Sequence, residues 1–115
     1  MNQPRERDTA VGYVRVSTDD QVGHTSLHSQ EERIREWCGR EGFELVAMFR
    51  DEGAPAYTSR RPGLAALLEE LPRLRPDTVV VYSLDRLARS TYVAAESFRT
   101  LASLNIGFAS VTEVQ

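Results

Sequence analysis

The sequence predicts an α/β domain: a mostly parallel sheet of four or more strands with helices on both faces. Three observations carry this reading. Strand-like and helix-like segments alternate along the 115 residues, beginning and ending on a strand. Such alternation implies right-handed crossovers and a parallel sheet flanked by helices. The stretch from Thr78 to Leu84 holds the most continuous apolar run in the chain, as expected of a central strand buried on both faces. The length suits one domain, and at that size roughly two-thirds of the unfolded chain's surface can be buried.

The first strand is Val11–Gly12–Tyr13–Val14–Arg15–Val16, a β-branched alternating run. Both of its faces are largely apolar, and Arg15 is the exception. A charged residue near the end of a buried strand needs a partner or a task. The polar stretch Ser17 to Ser26 reads as a loop, long for a strand-to-helix connection. Ser26 is then placed to cap a first helix, with Leu27, Ile34, Trp37 and Cys38 on its buried face. Gly39 and Gly42 are expected to end that helix. Cys38 and Trp37 read as core.

Phe43 to Phe49 is the second strand. Arg50 to Arg61 is a second long loop. Pro62 suits the first turn of a second helix, and Leu64, Leu67, Leu68 and Leu71 form its apolar stripe. Pro72 and Pro76 are expected to break it and turn the chain toward Asp77–Thr78. The third strand is Thr78 to Leu84. A third helix follows Asp85 directly or starts near Ser90, with Val93, Ala94, Phe98, Leu101 and Leu104 as its face. Asn105 and Gly107 end it, and Phe108–Ala109–Ser110–Val111 is the fourth strand.

Composition narrows the function classes. The chain is 41% hydrophobic and 27% charged, ordinary for a globular protein. A formal net charge of −3 argues against gripping nucleic acid by bulk charge. Any such contact must be local or come from another domain. The single cysteine allows no internal disulfide, which fits a reducing compartment such as the cytoplasm. No apolar run approaches a membrane span. Residues 1–9 are polar and charged, and read as a flexible arm rather than a signal peptide; residues 10–115 are the domain.

In parallel sheets of this kind, ligands bind outside the carboxyl ends of the strands. Ser17 lies just past the first strand, with Arg15 near its end. Asp51 lies past the second, with Arg60 and Arg61 later in the same loop. Asp85, Arg86 and Arg89 lie past the third, and Glu113 past the fourth. The polar residues with no place in a core therefore fall on one edge. Arg86 and Arg89 share a face on an opening helix turn, and Asp85 sits where a cap is expected. Arginines so gathered suit a phosphoryl centre, where they fork onto oxygens and stabilise transition-state charge. Asp51 and Asp85 would orient the guanidiniums. A serine attacking phosphorus would form a covalent phosphoseryl intermediate.

Plainer readings stand beside these. Ser17 also reads as a loop or capping serine, and Asp85–Arg86–Leu87–Ala88–Arg89 as a surface helix start. A Ser–His–Asp hydrolase is unsupported, since Gly-x-Ser-x-Gly is absent and His24 and His28 lie near the first helix rather than after a later strand. No His or Cys spacing suggests a metal, the pair Asp19–Asp20 is a weak ligand set, and no glycine-rich phosphate loop is present.

Four blocks together resemble the catalytic domain of the serine site-specific recombinases: the resolvases, invertases and large serine integrases. They are Tyr13–Val14–Arg15–Val16–Ser17–Thr18–Asp19–Asp20–Gln21, then Ser26–Leu27–His28–Ser29–Gln30, then Arg61–Pro62–Gly63–Leu64, then Leu84–Asp85–Arg86–Leu87–Ala88–Arg89. They occur in the family's order. The longer stretch between Gln21 and Gln30 looks more like the large serine integrase branch. The resemblance implies a resolvase-like catalytic domain in which Ser17 attacks a DNA phosphodiester, leaving a 5′-phosphoserine link and a free 3′-hydroxyl. It implies that Arg15, Arg86 and Arg89 hold the scissile phosphate and that Arg61 is directed at phosphate. Asp85 would position the arginines with Asp51 in support, and Tyr13, Gln21 and Gln30 match polar positions of the same site. No metal or nucleotide cofactor is implied. The implied partners are double-stranded DNA at specific recombination sites and further copies of the chain, as dimer and tetramer, with no membrane.

Two departures qualify the match. Members of the family often carry a basic residue where Ser83 stands here. The family also continues past this point with a long oligomerisation helix and a DNA-binding domain, so these 115 residues are expected to be a trimmed or truncated form, inactive when isolated. The remaining alternatives are a non-catalytic remnant or interaction domain that keeps the fold, and an unrelated doubly wound domain for a small phosphorylated ligand.

Overall fold

The computed structural model describes residues 8–16, 26–52, 62–83 and 91–112, without the side chains of 91–93. It contains β1 (Asp8–Val16), α1 (Leu27–Glu41), β2 (Phe43–Glu52), α2 (Pro62–Leu74), β3 (Thr78–Val81), α3 (Thr91–Ser103) and β4 (Gly107–Ser110). All strand pairs are parallel, in the order β2-β1-β3-β4. The strand order reverses at β1, which lies between β2 and β3. Crevices at the carboxyl ends of strands form at such a switch point.

The two faces of the sheet have separate cores. On one, Val11, Tyr13, Val79 and Val81 pack with Leu64, Leu67 and Leu71 of α2 and Leu101 of α3. On the other, Ala10, Val14 and Val80 pack with Ile34 and Cys38 of α1. Alternate residues of one strand thus supply both cores, as the pleat requires. All four residues of β3 are buried, in keeping with the central strand read from its apolar run. Burying a leucine such as Leu67 or Leu71 stabilises by about 1.5–3 kcal/mol.

Several element ends differ from the sequence reading, each for a local reason. β1 starts at Asp8 rather than Val11. Asp77 holds this end, accepting from the Thr9 N–H at 2.7 Å through Oδ2 and donating its own N–H to the Thr9 carbonyl at 2.8 Å. Ser26 caps α1 as expected. Gly39, however, lies inside that helix, and only Gly42, at φ +85°, ends it. Pro72 likewise lies inside α2, which runs on to Leu74. The Arg75 N–H bonds the Leu71 carbonyl at 2.8 Å, so the helix closes one more turn past the proline. The sheet ladder of β3 ends at Val81, short of Leu84.

α3 is described from Thr91, and its earlier expected start, directly after Asp85, lies outside the described residues. It ends in a Schellman turn: Ile106 N–H bonds Leu101 O at 2.9 Å, Asn105 N–H bonds Ala102 O at 3.1 Å, and Asn105 sits at φ 59°. Gly107 opens β4 rather than ending the helix. Phe98 is only partly covered, with its ring edge-on to Phe108 at 5.0 Å, and Trp37 is half-buried against Phe43.

β2 is the largest correction. It extends through Glu52, so Arg50, Asp51 and Glu52 belong to a strand and not to a loop. Pairing with β1 continues to Val16↔Glu52. Arg50 turns outward to Glu31 of α1, where its Nη2 lies 2.7 Å from the carboxylate. Asp51 turns inward.

Candidate active site

β1 outruns β3 at the carboxyl edge. Its register with β3 stops at Tyr13↔Val81, whereas its register with β2 continues past Arg15↔Asp51. Tyr13, Arg15 and Asp51 are therefore gathered where the sheet narrows to two strands. By alternation, Arg15 points to the same face as Tyr13, the face covered by α2 and α3.

Asp51 is buried, and its carboxylate joins three elements. Oδ2 accepts from the Tyr13 hydroxyl at 2.7 Å and from the Leu64 N–H at 3.0 Å. Oδ1 accepts from the Gly63 N–H at 2.7 Å. Gly63 and Leu64 open α2, and the first N–H groups of a helix have no partner within it. Asp51 thus caps α2 from a neighbouring strand, where the helix dipole also favours a negative charge.

Gln30 performs a comparable service for β1. The Arg15 N–H donates to Gln30 Oε1 at 3.3 Å, and Gln30 Nε2 donates to the Arg15 carbonyl at 3.0 Å. Its carboxamide substitutes for a peptide group of a neighbouring strand, at a point β3 does not reach. Gln30 is 0% exposed and Arg15 1% exposed, so neither arrangement has bulk water competing for it.

Of the expected site residues, the structure brings Tyr13, Arg15, Gln30 and Asp51 together. Ser17, Gln21, Arg61, Asp85, Arg86 and Arg89 lie outside the described residues, as do Arg60, His24 and Glu113. Covalent connection still places Ser17 next but one after Arg15, and Arg61 next before Pro62. Asp51 was expected to orient guanidiniums, of which those of Arg61, Arg86 and Arg89 lie outside the described residues; among the described residues its hydrogen-bond partners are a tyrosine hydroxyl and the start of α2. The backbone donors of Gly63 and Leu64 escaped the sequence reading. Pro62–Gly63 at a helix start was the available signal, since proline favours that position and glycine permits close approach. His28 is an exposed helix residue 3.8 Å from Glu32.

Residues 10–115 match the sequence profile described as "Resolvase, N terminal domain". The chain is 38% identical over 103 residues to a DNA-invertase of Enterobacteria phage P7, covering 90% of this chain and 48% of that protein. It is also 38% identical over 103 residues to the serine recombinase gin of Escherichia phage Mu, covering 90% and 47%. It therefore spans about half the length of the curated relatives it matches. Its structure is similar to the N-terminal catalytic domain of TP901-1 integrase, with a TM-score of 0.81, 27% identity, and coverage of 90% of this chain and 77% of that one. That likeness supports the integrase-branch expectation. No described helix is long and apolar enough to cross a membrane. On the profile match and the identity to the phage enzymes, the chain belongs to the resolvase family of serine recombinases.

Proposed function

We propose that this domain is the strand-cleaving and rejoining core of a site-specific DNA recombinase. Ser17 Oγ attacks a backbone phosphorus, the bond to the 3′-oxygen breaks, and that oxygen leaves as a free 3′-hydroxyl. The DNA 5′ end stays attached as phosphoserine. This link conserves the bond energy, so the reverse attack by a new 3′-hydroxyl rejoins the strand without a cofactor. Arg15, Arg86 and Arg89 hold the scissile phosphate, and Arg61 contributes a further positive charge. An arginine supplied to a phosphoryl transition state is worth roughly 10³–10⁵ in rate in other enzymes. Asp85 orients the arginines, while Gln21 completes the polar lining.

The family match over residues 10–115 carries this reading. The local geometry supports it. Arg15 is buried, clamped through its backbone by Gln30 and in register with Asp51. A nucleophile next but one in sequence is attached to this fixed frame, and such preorganisation is what positioning catalysis requires. Tyr13, Gln30 and Asp51 act on this frame. Site choice and most of the DNA grip belong to protein outside these residues, which agrees with the net charge of −3. Cleavage of two DNA sites uses a tetramer assembled from dimers, in the cytoplasm.

The test uses the complete natural protein and a supercoiled plasmid carrying the DNA that flanks its gene. Stopping the reaction with detergent is expected to trap a covalent protein–DNA adduct that yields phosphoserine on acid hydrolysis. Ser17→Ala abolishes it. An adduct that persists in Ser17→Ala overturns the assignment.

A further inference from the structure

We infer that Gly63 is a positioning residue for strand cleavage: it lets the start of α2 seat against β2 and so fixes the point from which Arg61 reaches the phosphate. A Cβ at Gly63 would lie 2.2 Å from the Arg50 carbonyl oxygen, 2.7 Å from the Arg50 carbonyl carbon and 3.0 Å from Asp51 Cγ. The first two are backbone of a strand paired along its length with β1. The third belongs to a carboxylate held by the Tyr13 hydroxyl. None can move aside as the end of a flexible side chain would.

The glycine is not there for its backbone conformation. Arg75, Asn105 and Gly42 are the described residues at positive φ, and Gly63 is not among them. Alanine is the better helix former, so what glycine supplies at this place is room. With that room, the Gly63 and Leu64 N–H groups come within 2.7 and 3.0 Å of Asp51. Arg61 joins this anchor through Pro62 alone, whose ring fixes φ. A side chain added at Gly63 lifts the helix start away from Asp51 and carries the attachment of Arg61 with it. The leucine stripe of α2 still holds the remaining turns in the core. Displacing a catalytic group by about 1 Å can cost on the order of 10²-fold in rate.

The inference rests on the proposed phosphate-directed role of Arg61, and a double-mutant cycle separates the two. Adduct formation is timed for the complete natural protein, for Gly63→Ala, for Arg61→Ala and for the double variant, with circular dichroism and melting recorded on each. Both single variants are expected to slow cleavage, and the double variant to be no slower than Arg61→Ala, because Gly63 acts through Arg61. A purely structural defect would instead add to the loss in Arg61→Ala, and additive losses overturn the inference alone. A wild-type rate in Arg61→Ala overturns the role of Arg61 and the inference with it. If Gly63→Ala does not fold, one glycine inserted between Arg61 and Pro62 leaves Gly63 and its packing intact while detaching Arg61 from the anchor. That variant is expected to cleave as slowly as Arg61→Ala, and cleavage at the natural rate overturns the inference.

Discussion

The Tyr13 hydroxyl and the Asp51 carboxylate meet at 2.7 Å across two parallel strands, although 38 positions separate them in the chain. Tyr13 is in register with Phe49, so its ring reaches diagonally past its own partner to the second residue beyond. The same carboxylate receives the first two N–H groups of α2 after its proline. One buried anion thereby sets the distance between β1, β2 and α2 at the active edge.

Removing the hydroxyl tests that linkage. Tyr13→Phe keeps the ring packing and deletes one bond to a charged acceptor, so unfolding stability should fall by about 1.5–3 kcal/mol. Asp51→Asn should cost more, because its amide turns a donor toward one of three donors. Urea titrations of the two variants would establish the order.

Gln30→Leu should leave the Arg15 N–H and carbonyl buried without this partner. The expected loss is about 2 kcal/mol or more. A more local readout is amide hydrogen exchange: the Arg15 N–H should exchange much faster in the variant, while amides of β3 keep their protection.

Burial pushes the Cys38 thiol above its ordinary value of 9.0. The unfolded thiol therefore ionises first as pH rises. The contribution is fully present below pH 9.0 and is lost as the pH climbs through the folded value. Stability measured across this range should fall less steeply in Cys38→Ala than in the natural sequence. At neutral pH a thiol reagent should modify Cys38 only as fast as the domain opens.

Glu31 bridges α1 to the edge strand through Arg50 at 2.7 Å and approaches Arg35 at 3.7 Å. The arginines are half-exposed, so Glu31→Gln should cost less than about 1 kcal/mol. The difference should shrink in about 1 M salt, where screening is short-ranged. A melting comparison at two ionic strengths would check both points.

The alternation of apolar runs made the layer order legible, because each run carries the period of its element. Ser26, Gly42 and the leucines of α2 were readable for the same reason: caps and stripes are local. Residues whose neighbours are distant in sequence were read less well. Arg50–Asp51–Glu52 looked like a loop because three charges seldom occupy a strand. Arg50 is satisfied by Glu31, Asp51 by Tyr13 and the start of α2, none of which adjoins them in the chain, and Glu52 is exposed. Pro72 and Gly39 were read as stops, but helix ends depend on packing as well as propensity, and Leu71 holds its turn in the core. At the active edge, residue types and order could be read directly. The division of labour could not, since it depends on hydrogen bonds between elements.

The all-parallel pairing bears on how the chain is made. None of the described strands folds back on its neighbour through a tight turn, because parallel neighbours need crossover connections. During synthesis β1 has no strand to pair with until Phe43 has emerged, and its second edge waits for Thr78. β1 precedes both of its partner strands in the chain, so neither of its edges is covered until segments that follow it have been made. Its apolar residues stay open to other chains throughout that interval, which exposes nascent β1 to misassociation.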